Sequence, residues 1–311
     1  MDLFRVEALG VCAELWRLLG PACNLFDPWD IRMCFHEGFG RRPTFIVAEE
    51  GGQVVGLLPL SWIEELDCYA FFPGETWHGK TWLERNRFLC RDSEVLHRMI
   101  EFLDGPVLMR YIQEQEIPPG ADYVREDEIG YLFHPARYRY SFAEYRASIP
   151  RKRFKGIERD VARLRSRDVA FRLDMSDDVN VLLRMNLEAF GAESYFYDPR
   201  FADSFDRFVC YLRGQGMLRI TTVLIDGQVA AVDTGCVFKN KYTVFAGGVS
   251  PDFPGAAKLI NLHHLERSCN ERFEWTDFLC GDFNWKQRFR LEGRPLYLIT
   301  TPVGASLAST P

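Results

Sequence analysis

Residues 74–81, Gly-Glu-Thr-Trp-His-Gly-Lys-Thr, fit the spacing G-x-x-x-x-G-K-[ST] letter for letter. In nucleotide hydrolases that spacing folds backbone N–H groups around phosphates and brings a lysine to them. Here the surroundings argue against hydrolysis. Trp77 and His78 would crowd the approach of backbone to phosphate. The one acidic stretch that could hold magnesium, ending near Asp104, reads as a helix and follows too closely in sequence. The strand patterns before the loop form an antiparallel meander, whereas nucleotide-binding sheets are parallel. A second glycine-rich stretch, from Gly247 through Val249, Gly255, Ala256 and Ala257 to Lys258, leaves a strand pattern and opens a helical one. At such a junction unpaired N–H groups and the helix dipole point the same way, which favours an anion in any fold.

These two loops fall at matching places in a repeat. Helical periodicity covers roughly 4–19 and 28–38, followed by strand patterns at 44–50, 53–63 and 68–74. The second half repeats the series, with helices at roughly 178–190 and 200–213 and strands at 218–227, 228–238 and 242–248. Asp27-Pro28 answers to Asp198-Pro199, Gly52-Gln53-Val54 to Gly227-Gln228-Val229, and Phe71–Gly74 to Phe245–Gly248. The spacing of these landmarks is nearly constant. It predicts an α/β (α+β) protein of two tandem units, each a mixed, mostly antiparallel sheet flanked by helices. The units are expected at 1–136 and 173–303, joined by a basic helical segment at 137–172 and followed by a small polar tail at 304–311.

The joining segment carries 12 Lys and Arg against 4 Asp and Glu, in a chain of 311 residues whose net charge is -6. A basic belt in an acidic protein suits either a docking anion or a solvated helix face. Within it Phe154, Ile157, Val161 and Leu164 make one apolar helical stripe. No apolar run is long enough to cross a bilayer, and the N-terminus reads as an amphipathic helix instead of a signal peptide. Nine cysteines stand singly, without a C-x-x-C pair, which fits reduced thiols in a cytoplasm and gives no zinc site. His263 and His264 diverge by about 100° on a helix and do not share one ion.

The series of two helices, a three-stranded meander, a loop, a helix and a strand resembles the GNAT acyltransferase fold. That superfamily's [QR]-x-x-G-x-[GA] pattern falls on Asp252–Ala257, where Gly255 and Ala257 match and Asp252 stands at the first position. The stretch from Phe253 to Phe289 resembles more narrowly the CelD-like acetyltransferases, which carry two GNAT-like units and are related to the Fem-type aminoacyl transferases. Their Pro-Gly, helix, Asp-bearing strand and Gly-Asp/Glu-x-x-Tyr-Lys series falls on Pro254-Gly255, Asp277, Gly281-Asp282 and Lys286, with Trp285 in place of Tyr.

The resemblance implies direct attack of an amine on a thioester, in the cleft between the units, with no nucleophilic side chain. The acyl donor would be acyl-CoA or acetyl-CoA, or an acyl-carrier protein, and no metal is needed. Val249, Gly255, Ala256, Ala257 and Lys258 would hold the donor's phosphates. Asp282 would orient or deprotonate the amine, and Lys286 would hold a carboxylate or phosphate. The same two residues also suit a plain i,i+4 ion pair, worth a few tenths of a kcal/mol. Asp277 and Tyr242 are further proton carriers, with core packing the alternative for Tyr242. Tyr195 and Tyr197, between the second unit's helices, would wall the acceptor pocket or clamp the core, with Trp285 beside them. Trp77, His78, Lys80 and Arg85 would complete the acceptor site. The Fem relationship implies instead transfer from an aminoacyl-tRNA docked on the basic segment, and a non-catalytic binding module is a third reading.

Overall fold

The two periodic halves become two units. Unit 1 holds Met1–Glu128, Arg200–Phe208 and the residues from Pro295 on; unit 2 holds Ile129–Pro199 and Val209–Arg294. The computed structural model describes residues 1–121, 123–281 and 284–301. Asp282 and the tail expected at 304–311 lie outside the described residues.

Unit 1 contains β1 (Asp2–Val6), α1 (Leu9–Trp16), α2 (Trp29–Phe39), β2 (Arg42–Glu50), β3 (Gln53–Ile63), β4 (Cys68–Phe71), the short strands β5 (Thr76–Trp77), β6 (Lys80–Thr81) and β7 (Leu89–Cys90), α3 (Ser93–Glu101) and β8 (Val107–Gln113). The chain continues through β9 (Val124–Phe133), α4 (Phe142–Ser148), α5 (Arg151–Arg165), β10 (Val169–Leu173), α6 (Asp178–Phe190), α7 (Pro199–Gly214), β11 (Leu218–Ile225), β12 (Gln228–Phe238), β13 (Lys241–Val249), α8 (Ala256–Asn270), β14 (Thr276–Asp277), α9 (Trp285–Arg288) and β15 (Glu292–Thr300).

The sheet of unit 1 runs β1-β2-β3-β4-β8-β15 and that of unit 2 runs β10-β11-β12-β13-β14-β9. In each, the first four strands form an antiparallel meander, and the fifth joins parallel to the fourth (β4 to β8, β13 to β14). The repeat extends to irregularities. The register slips between Ala48 and Glu49 in β2 and between Val223 and Leu224 in β11. The tight turns that follow, Gly51-Gly52 and Asp226-Gly227, both take positive φ, as a two-residue hairpin turn requires. The sixth strand of each sheet comes from the opposite half of the sequence: Leu296–Thr300 of β15 pairs with β8, and Leu132-Phe133 of β9 pairs with β14.

Two stretches expected as helical are edge strands. Residues 4–6 were expected to open a helix, but Asp2–Val6 pairs with Phe45–Glu49, so backbone hydrogen bonding to a neighbour replaces the intrahelical ladder. Helix α1 is accordingly confined to Leu9–Trp16. Val169–Leu173, at the end of the basic segment, likewise pairs with β11. The apolar stripe of α5 behaves as its periodicity predicts: Phe154, Ile157, Val161 and Leu164 are buried in the unit 2 core with Leu259, Ile260 and Phe289.

Within unit 1 the start of α7 is tied down by charge. Glu65 pairs with Arg41 and with Arg200, whose Nη1 lies 2.6 Å from Oε1. The hydrogen bond from Arg41, followed by that from Arg200, lowers the Glu65 carboxyl to about 2. A lowered carboxyl pKa stabilises the fold above the unfolded value near 4.5 and loses that contribution as pH falls toward about 2. Glu65→Gln should therefore flatten the acid limb of a urea-midpoint series over that window. Identical limbs for both proteins would show the pair to be energetically silent.

Candidate active site

In unit 1 the phosphate-loop spacing is a hairpin. Thr76 pairs with Thr81 and Trp77 with Lys80, around a turn in which His78 and Gly79 have φ of 45° and 75°. This is a two-residue β-turn, and α3 starts only at Ser93. The expected strand, glycine loop and helix start therefore exists in unit 2 but not here. Trp77 is buried, stacked on Phe201 at 5.2 Å, and Trp82 joins Phe35 at 5.4 Å, so both belong to an aromatic core and not to a substrate wall. His78 is exposed at the turn, and Lys80 is half-buried on β6. Arg85 is tied to Gln113, whose Nε2 donates to the Arg85 carbonyl at 3.0 Å.

Unit 2 offers a different geometry. β13 and β14 share register only at Tyr242–Thr276 and Thr243–Asp277. Beyond that point β14 stops, while β13 runs on to Val249 paired with β12 alone. The sheet thus opens beside residues 244–249, where β13 has backbone groups without a strand neighbour. Asn186 of α6 donates from Nδ2 to the Gly247 carbonyl at 3.1 Å and accepts from Ser194 Oγ at 2.7 Å. That chain ties the aromatic segment to β13: Phe196 is buried, Tyr195 is half-buried, and Tyr197 is 65% exposed.

β13 leads through Gly255, at φ 104°, into α8. The donor contacts expected here are largely taken by the protein itself. The N–H groups of Ala256 and Lys258 donate to the carbonyls of Phe253 and Gly255. Ala256 is fully buried. A Cβ on Gly255 would lie 3.3 Å from Asp160 Cβ, because α5 packs over this turn, and Arg163 Nη2 donates to the Pro254 carbonyl at 2.9 Å. Lys258 is ion-paired with Asp160, holding that carboxyl below its usual range. Val249 lies opposite Ala231 in the sheet, and Ala257 is half-buried.

Asp277, Leu279, Cys280 and Lys286 are tied to one another by hydrogen bonds. Asp277 is buried and accepts from the Leu279 N–H at 2.9 Å. Lys286 is only 2% exposed; its ammonium donates to the carbonyls of Leu279, at 2.9 Å, and Cys280, and stands 5.1 Å from the Tyr131 ring centre. It is a clasp holding the strand exit against α9, not a free cation awaiting substrate. Trp285 packs edge-on against Phe278 and Phe289.

Tyr242 is buried, as the packing alternative requires, yet its hydroxyl does not end there. It lies 3.1 Å from His264 Nδ1, and His264 Nε2 lies 3.0 Å from Asp233 Oδ2. Burial pushes the Tyr242 hydroxyl far above its ordinary pKa. Asp233 faces Gly247 across the β12–β13 pair, and a Cβ at 247 would sit 2.2 Å from Asp233 Oδ1. Glycine is therefore required for the carboxylate to occupy this place. Asp233 and His264 did not emerge from motif spacing. The available signal was a lone acid inside the apolar run Val-Ala-Ala-Val-Asp233. Among the described residues no group of three or more His, Cys, Asp or Glu side chains could hold a metal ion, and no helix is long and apolar enough to cross a membrane.

Residues 151–287, which include the opened sheet, the β13–α8 turn and the Lys286 clasp, match the family model described as an acetyltransferase (GNAT) domain. That stretch is similar to a GNAT domain. Solved structures extend the likeness beyond that domain. FemX superposes with a TM-score of 0.57 at 9% identity, covering 100% of both chains. A tandem GNAT protein from the clavulanic acid biosynthesis pathway gives 0.53 at 14% identity, covering 97% of this chain and 99% of its own. A conserved protein of unknown function from Bacteroides thetaiotaomicron gives 0.59 at 13% identity, covering 96% and 99%. No curated protein matches the sequence. Apart from Arg200–Phe208, the matched stretch lies within unit 2, and the fold as a whole is that of tandem GNAT-like units.

Proposed function

We propose that the protein is an N-acyltransferase that takes an acyl group from a thioester, acyl-CoA or an acyl-carrier protein, and passes it to an amine by direct attack beside β13. The observation that supports this reading most is the parting of the parallel strands β13 and β14 within the stretch similar to a GNAT domain. The open edge of β13 offers main-chain partners to the amides of an extended donor, as an added strand would use them. The attacking amine must lose one proton. Asp282, which follows Gly281 in sequence, is the carboxylate assigned to the amine, while the Tyr242–His264–Asp233 chain holds protons further inside. Tyr195 and Tyr197 wall the acceptor. Asp277 and Lys286 act by fixing the turn.

Acetyl-CoA and longer acyl-CoAs should raise the melting temperature, and addition of an amine acceptor should release free thiol. No shift with any acyl-CoA or acyl-carrier protein would remove the thioester donor. A second reading, transfer from an aminoacyl-tRNA, draws on the basic face of α5. It requires tRNA binding that weakens steeply with salt.

A further inference from the structure

The open edge of β13 in unit 2 has a counterpart in unit 1, and there it is closed. β8 gives one edge to β15, from Leu108 to Gln113, and meets β4 on the other only at Val107 and Leu108. β3 gives one edge to β2, from Gln53 to Trp62, and meets β4 on the other from Leu60 to Ile63. β4 ends at Phe71, so the sheet of unit 1 would part here as that of unit 2 parts after Thr243 and Asp277. Instead the chain makes the β5–β6 hairpin and returns. Asn86 bridges to Ile112 in the parallel sense; its N–H donates to the Tyr111 carbonyl at 2.8 Å, and its carbonyl accepts from the Gln113 N–H at 3.3 Å. Leu89-Cys90 of β7 pairs antiparallel with Gly56-Leu57, and the Arg91 N–H donates to the Val55 carbonyl at 2.9 Å. Because β15 and β2 hold the other edges, both contacts fall on the edges that face β4. Residues 86–91 thus lie parallel to β8 and antiparallel to β3, the two senses of β4 itself, and fill the parting with protein.

Side chains fix the filling. Asn86 is buried; its Nδ2 donates to the Arg110 carbonyl at 2.8 Å and to the Leu83 carbonyl at 3.2 Å, while its Oδ1 accepts from Arg32. Leu83 and Phe88, on either side of it in sequence, are buried as well. Arg85 and Tyr111, the residues just before the two bridge partners, both have φ of 58°, which a residue other than glycine seldom holds without such support. We infer, on the acyl-donor reading given above, that unit 1 is closed to an extended thioester donor and that the chain loads a single donor, in unit 2. In that reading the donor's amides use the free edge of β13 as an added strand would. In unit 1 the corresponding groups, among them the Tyr111 carbonyl and the Gln113 N–H, are already bonded to Asn86. A guest would have to break hydrogen bonds inside the protein and displace two buried side chains. The phosphate-loop spacing at 74–81 thereby acquires a structural role: it forms the outer part of the excursion from which the chain re-enters its own sheet.

Equilibrium dialysis of the full chain against acetyl-CoA should give one equivalent bound. Two equivalents would overturn the closure of unit 1 and leave the acyl-donor reading standing. Hydrogen exchange of the ligand-free protein should find the peptides covering 84–92 and 107–113 as slow as the core strands. Exchange there as fast as at an exposed turn would show that the parting opens, and would overturn the inference without reference to any ligand. Addition of acetyl-CoA should slow exchange at 244–249 and leave 107–113 unchanged; slowing at 107–113 would place a donor in unit 1. Absence of any bound acetyl-CoA would sink the acyl-donor reading, and the exchange of the free protein would then decide the closure alone. Asn86→Ala removes the bonds to Arg32, Arg110 and Leu83, so it should speed exchange at 107–113 by about tenfold while keeping the one equivalent of acetyl-CoA. An unchanged rate in that variant would show that residues 86–91 do not hold the sheet shut.

Discussion

Arg32→Leu should be the most destabilising single change in unit 1, lowering stability by about 3–5 kcal/mol. The guanidinium is buried, and each of its nitrogens is used. Nε donates to the Phe26 carbonyl at 2.6 Å, Nη1 to the Phe72 carbonyl at 3.1 Å and Nη2 to Asn86 Oδ1 at 2.7 Å. Its carbon lies 5.3 Å from the Phe71 ring centre and 5.6 Å from that of Trp16. Burial lowers its pKa to about 10, against the opposing pull of Glu75 and Asp27. Glu75 is equally buried, accepts from the Leu83 N–H at 3.0 Å, and is raised by burial. Removing the arginine leaves three acceptors and one carboxylate inside the protein without their partner. The double variant Arg32→Leu/Glu75→Leu should recover part of the loss, because a pair removed together leaves no uncompensated charge. Urea unfolding of the three variants checks this. An Arg32→Leu protein within about 0.5 kcal/mol of the parent would show that the network carries no net stability.

That network explains why the phosphate-loop spacing misled. Trp77 is a chemistry-bearing type that the family resemblance placed in the acceptor site, and Glu75 and Asn86 are polar residues close to it in sequence. Their fates were set by a distant arginine at 32 and by Phe201, Phe205 and Phe208, which return to unit 1 from the second half of the sequence. Periodicity is local and reports such exchange poorly. It did report what depends on neighbours in sequence. β3, α6 and β12 occupy the stretches whose patterns announced them, and the offset between halves reappears as twin bulges. Edge strands were lost to the helical reading because β1 and β10 bury little of either face, so no clean alternation marks them. The site was legible where the residue itself sets the geometry, as Gly255 does at φ 104°. It was not legible where a carboxylate from another helix decides the outcome, as Asp160 does for Lys258.

Lys286 puts the same question to the second unit, with the opposite expectation from the motif that singled it out. As a substrate-holding cation it should be dispensable for folding. As the clasp seen here, its loss removes two charge-assisted hydrogen bonds, to the carbonyls of Leu279 and Cys280. Each hydrogen bond to a charged group contributes about 1.5–3 kcal/mol, so Lys286→Met should destabilise by about 3 kcal/mol or more. Leu279 at φ 57° makes the turn dependent on that support, since a leucine rarely holds such a backbone unaided, whereas Gly281 takes φ 94° freely. Hydrogen exchange should show the loss first at Phe278 and Leu279, whose N–H groups donate to the Tyr131 carbonyl and to Asp277. Asp282→Ala, by contrast, should leave the melting temperature unchanged and remove acyl transfer, because its proposed task is the amine and not the turn. The pairing of the two variants separates the roles. A Lys286→Met protein that melts like its parent but has lost transfer would make the ammonium a substrate ligand, with its contacts to Leu279 and Cys280 incidental.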